Sequence, residues 1–127
     1  MHGYVFGPTE PRPARVAALS RLYDAATAAW LDTVPDAVAR WRPKPDAWSA
    51  IEIIGHLIDS AANNHTRFVR APGQDDLVFP GYAQNEWVRL QEYAVAPWNE
   101  VITLWHSYNR HIARVMAAVP VDVRYRK

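Results

Sequence analysis

Apolar residues fall into three long stretches that follow the three- and four-residue spacing of an amphipathic helix. Over residues 14–34, Val16, Leu19, Leu22, Tyr23, Ala26 and Trp30 share one face. Over residues 49–70, Ile51, Ile54, Leu57, Ile58, Ala61, Phe68 and Val69 lie in one arc, with His65 near its middle. After Pro97, Trp98, Val101, Trp105, Tyr108, Ile112, Val115, Met116 and Val119 line a third face. No strand-like alternation of comparable strength competes with these. The pattern predicts an all-α antiparallel helical bundle.

Prolines mark the boundaries. Pro8, Pro11 and Pro13 make residues 1–13 an extended arm, because proline fixes φ and is excluded from helix interiors. The bundle then spans residues 14–120, followed by a polar tail over 121–127. Pro35 stops or resets the first helix, and "WRPKPDAW" reads as a loop. Ser49 and Glu52 have the spacing of a capping box, which opens the second helix. Pro72-Gly73 ends it near Arg70. The stretch from Ala71 to Pro97 is irregular, with a short helix expected around residues 85–92. Pro97 suits the first turn of the third helix, and Pro120 closes it.

At 127 residues, half of them apolar and with six Trp and six Tyr, the chain has the makings of one hydrophobic core. Lys and Arg number 14 against 13 acidic residues, so no basic surplus argues for nucleic acid. There is no cysteine, which excludes disulfides, thiolate nucleophiles and cysteine-rich zinc sites. The N-terminus lacks a charged start followed by an apolar block, and no apolar run approaches the ~20 residues of a membrane span. A soluble, cytoplasmic protein with no membrane partner is the expectation.

Candidate chemistry rests on histidines. His56 leaves the apolar arc and shares a polar stripe with Ser60, Asn63 and Arg67, flanked by Glu52 and Asp59. Two readings stand side by side: a solvated surface histidine, or one facing a polar pocket inside the bundle, where bundles build metal sites. His65 reads as a core-edge residue hydrogen-bonded to a neighbour. His106 and His111, five residues apart, point to different sides of their helix and make a poor chelating pair; His111 sits at the edge of the apolar face, where it could approach another helix. His2 lies in the arm. Catalytic zinc typically has three protein ligands, so one histidine makes no site. No Gly-rich phosphate loop, G-x-S-x-G elbow or H-E-x-x-H is present.

"WSAIEIIGHLIDS", "RF", "FPGYAQNEW" and "LWHSYNRHIARVMAAVP", in that order, resemble the DinB/YfiT-like superfamily of small four-helix-bundle, metal-dependent enzymes. The resemblance covers residues 14–120. It implies that His56, the histidine of "GHLIDS", is a metal ligand, with Asp59, Ser60 and Asn63 as pocket neighbours. Gln84, Asn85 and Trp87 match the family's inter-helix crossover, with Trp87 packed against the bundle. In the family the remaining ligands are an H-x-x-x-H pair on a fourth helix, after the loop that follows "AAVP". The sequence ends at Lys127, before that helix, so three long helices are expected and the fourth missing.

Two expectations follow. A divalent ion of the Zn or Ni type is held weakly or not at all by this chain alone. The groove left by the fourth helix exposes apolar surface and favours a homodimer. By resemblance, the activity is that of a metal-dependent hydrolase, or of a transferase acting on a low-molecular-weight thiol, on a small-molecule substrate. The alternative is a non-catalytic helical module that homodimerises through the groove.

Overall fold

The structure, a computed structural model, describes residues 25–73 and 81–119. The arm, the tail, His2 and the first eleven residues of the first predicted helix lie outside the described residues. Those described form helices α1 (described over 25–31), α2 (Asp36–Arg40), α3 (Ala50–Arg70), α4 (Gln84–Leu90) and α5 (Trp98–Ala118). Two 3-10 turns, Ala71–Gly73 and Tyr93–Val95, complete the elements, and no strand occurs among the described residues. The fold is an all-α helical bundle.

The proline boundaries hold. Pro35 separates α1 from α2, and Pro97 caps α5. The capping box of Ser49 and Glu52 opens α3, with Glu52 Oε1 accepting from both the Ser49 amide and its hydroxyl at 3.1 Å. The carboxylate also takes the Arg42 guanidinium at 2.8 Å, so this one oxygen pins the preceding loop to the helix start.

α3 and α5 form the longest seam, with α4 and the Tyr93–Val95 turn covering another side of α3. Ile51, Ile54 and Ile58 meet Val101, Ile102 and Trp105 in the core, joined by Ala28, Leu31, Ala39 and Val88. The Trp98 indole donates to the Leu31 carbonyl at 3.2 Å, tying the end of α1 to the start of α5.

The buried faces are rotated from those the spacing predicts. On α3 the buried set includes Glu52, Gly55 and Asp59, whereas Leu57 and Val69 are 41 % and 59 % exposed. The crossover covers the polar side of α3, a demand that apolar spacing does not register. On α1, Ala28 and Leu31 face inward and Trp30 is 65 % exposed. In an alanine-rich helix two arcs are almost equally apolar, and the contact with Trp98 selects one. On α5, Ile102 and Ala113 join the core and Met116 is partly exposed.

Candidate functional site

The polar stripe of α3 begins at Glu52, whose engagement with Ser49 and Arg42 makes it structural. One turn on, His56 is half-buried. Its ring lies against Trp48, with centroids 5.0 Å apart and planes tilted by 35°. Its Nδ1 is buried and has no hydrogen-bond partner.

Asp59 is 2 % exposed, so its carboxylate must be met by donors. Two reach the same oxygen: Gln91 Nε2 and Tyr93 Oη each donate to Oδ1 at 2.8 Å. Oδ2 is buried without a partner. The chain achieves this convergence at Glu92, whose φ of 56° is left-handed. That conformation costs a non-glycine residue about 1–2 kcal/mol. It turns the chain sharply between Gln91 and Tyr93, and both side chains return to α3.

Three further contacts hold Tyr93. Its ring lies over Gly55, where a Cβ would overlap it. Its hydroxyl is 3.1 Å from Gln91 Oε1. The carbonyls that follow it are clamped by Arg40, which donates to Ala94 O at 2.9 Å and Ala96 O at 2.7 Å. Arg40 is itself steadied by a bidentate pairing with Asp36. Burial first, then the hydrogen bond to and charge of Asp59, push the Tyr93 phenol well above the usual tyrosine range.

Ser60 and Asn63 face elsewhere. The Ser60 and Tyr82 hydroxyls are 2.8 Å apart, and Asn63 donates to the Asp59 carbonyl at 2.8 Å. Both line a cavity of about 360 Å³ together with Arg67, Tyr82 and Gln84. A second cavity of about 430 Å³ is lined by Trp48, Glu52, Asn85, Val88 and Glu92, among others. His56 lies on the helix between these two and lines neither. The four residues expected to share a pocket are therefore distributed: Ser60 and Asn63 in a groove, Asp59 beneath the crossover, and His56 against Trp48. Trp87 is 37 % exposed and packs edge-on against Tyr82, centroids 5.1 Å apart.

His65 and His111 form a separate cluster with Tyr108. His65 Nδ1 is 2.8 Å from the Tyr108 hydroxyl, the kind of bond expected of a core-edge residue. His111 approaches α3, and its ring centroid is 5.1 Å from that of His65. His106 is half-buried on α5. Among the described residues no three His, Cys, Asp or Glu side chains are grouped to hold a metal ion. Gln91 and Tyr93 escaped the sequence reading because they lie in an irregular stretch with no periodicity; the only trace was a glycine inside a helix, opposite an aromatic residue in a crossover.

The architecture is that of a small helical bundle whose central helix carries a histidine and a buried carboxylate one turn apart, gripped from the crossover. A family model of the DinB superfamily matches residues 18–124, and the chain belongs to that superfamily. No curated protein and no solved structure matches it. Among the described residues no helix is long and apolar enough to cross a membrane.

Proposed function

We propose that this protein is a metal-dependent member of its superfamily, a hydrolase or a transferase acting on a low-molecular-weight thiol, with His56 as one ligand of a Zn- or Ni-type ion. The observation that carries this reading is the pair of buried, unpartnered atoms one helical turn apart, His56 Nδ1 and Asp59 Oδ2. Orphaned buried polar atoms are rare in folded proteins and concentrate where a further group binds. The unpartnered Nδ1 is the ring atom whose missing partner a bound ion or its ligand shell would supply.

The described residues fit one ligand position and not a complete set. His56 supplies an imidazole; Asp59, Ser60 and Asn63 are already engaged with protein groups. The remaining ligands come from outside the described residues, or from a second copy of the chain. A bound ion would supply Lewis acidity, lowering the pKa of a coordinated water or thiol. A cytoplasmic site of action and a small-molecule substrate go with this reading.

The second reading, a non-catalytic module that homodimerises, is favoured by one observation. Ile53 and Leu57 on α3 and Leu104 on α5 are 47 %, 41 % and 51 % exposed. Zn²⁺ and Ni²⁺ titrations of the full chain and of His56→Ala, followed by sedimentation, separate the two. The enzyme reading expects a tightest site that weakens at least tenfold in the variant. A tightest site unmoved by the substitution, with a dimer at micromolar concentration, would give the ground to the module.

A further inference from the structure

We propose that His65 and His111 form a second divalent-metal site, distinct from His56, in which one ion bridges α3 and α5. The two imidazoles come from different helices, and their ring centroids are 5.1 Å apart with planes at 84°. Two imidazoles bound to one tetrahedral ion through nitrogens at about 2.1 Å hold their ring centres about 5 Å apart. The helices have therefore already brought the rings to the separation that a shared ion requires. Around them, Ala61, Ile112 and Ala113 are buried, so this part of the seam is packed.

His65 is prepared in the way a ligand must be. Its Nδ1 faces the Tyr108 hydroxyl at 2.8 Å. When that nitrogen donates to the phenol oxygen, the lone pair is left on Nε2 and the ring is held in orientation. His111 is held less firmly. Arg114 Nη2 lies 3.3 Å from its Nδ1, a long bond from an exposed side chain. An ion at His111 must break this bond or accept a positive neighbour, so Arg114 opposes binding. Imidazole donors select Zn²⁺, Ni²⁺ or Cu²⁺ over Mg²⁺ or Ca²⁺. With two protein ligands, the other positions are left to water or an exogenous ligand.

The site is independent of the proposed enzyme function. His65 lies nine residues beyond His56, about 13 Å along the helix axis, so no single ion joins them. The probe is Co²⁺, added to the full chain while the histidine imidazole resonances are followed by NMR, with Zn²⁺ affinity measured by calorimetry. His65 and His111 are expected to broaden together at the lowest Co²⁺ additions that affect either. His65→Gln and His111→Gln should each weaken this Zn²⁺ site at least tenfold, His56→Ala should leave it unchanged, and Arg114→Ala should tighten it severalfold. Unchanged helical circular dichroism checks that each variant is folded, and the broadening in the unaltered chain depends on no variant. His65 and His111 that stay sharp up to saturating Co²⁺, whatever happens at His56, would overturn the proposal. So would Zn²⁺ binding in a His56→Ala background that neither glutamine substitution weakens.

Discussion

Gly55→Ala should destabilise the protein, although it places a better helix former in the middle of a long helix. By helix propensity alone the exchange is worth about 1 kcal/mol in favour of alanine. The structure opposes it. A Cβ at position 55 would lie 2.6 Å from Tyr93 Cε2, and nearer still to Cγ and Cδ2, a separation that van der Waals repulsion does not allow. The ring has little room to retreat, since Tyr93 is 7 % exposed and its hydroxyl is bound to Asp59. Overpacking of this kind costs about 1–3 kcal/mol. If the ring lifts enough to break its bond to the carboxylate, a hydrogen bond to a charged group worth about 1.5–3 kcal/mol is lost as well. After the propensity gain of about 1 kcal/mol, the net loss is about 0–2 kcal/mol if the hydrogen bond survives and about 1.5–5 kcal/mol if it breaks. Denaturant unfolding measures it directly, and if the bond breaks the melting temperature should fall by about 5 °C or more.

A double-mutant cycle makes the sign decisive. In a Tyr93→Ala background the obstruction is gone, and Gly55→Ala should become stabilising by about 1 kcal/mol. Gly55→Ala that stabilises the otherwise unaltered protein would refute the packing of Tyr93 on α3, and with it the account of how Asp59 is held.

Three further outcomes follow from the same contacts. Tyr93→Phe should flatten the alkaline limb of the stability curve: the folded phenol keeps its proton beyond pH ~10, where unfolded tyrosine releases it, so this group's contribution is intact below pH ~10 and is lost as pH rises above it. Chemical unfolding at pH 8 and pH 11 measures the difference, and an equal alkaline loss in both proteins would count against it. Arg40→Ala removes both guanidinium bonds to the Ala94 and Ala96 carbonyls and should cost about 2 kcal/mol, with the first loss of hydrogen-exchange protection at residues 93–96. Arg42→Met leaves Glu52 buried with only the Ser49 donors; because Arg42 is itself 36 % exposed, the cost should be about 1–2 kcal/mol, and a change below about 0.3 kcal/mol would mark that pair as incidental.

Helix boundaries were legible because local chemistry writes them. Pro35, Pro97 and the Ser49–Glu52 box act within a few residues, and α3 and α5 end where Pro72 and Pro120 require. Faces were less legible. Apolar spacing placed Ile51, Ile54 and Ile58 inward, yet it placed Leu57 there too and left Asp59 at the edge. An aspartate is buried only when donors arrive from elsewhere, and here they come from Gln91 and Tyr93, more than thirty residues away in sequence. Nothing local to α3 announces them. The same holds for His65 and His111, whose proximity depends on the register of two helices.

The two histidine environments differ in a way that decides how each should behave. His56 lies against Trp48 with the rings tilted, and its buried nitrogen has no partner, so its hydrogen bonding is incomplete. A group in that condition gains from anything that supplies the missing partner, and Asp59 beside it is held by two donors to one oxygen with the other unmatched. That shortfall would persist only if the surrounding structure over-determined it, which the left-handed Glu92, the ring over Gly55 and the Arg40 clamp do from three directions. His65 has its partner already in Tyr108, and an ion there would add a bridge to a seam that stands without it. Removal of an ion from the proposed His56 site should therefore change the local hydrogen bonding around His56 and Asp59, whereas at the proposed His65–His111 site it should change only how firmly α3 and α5 are joined.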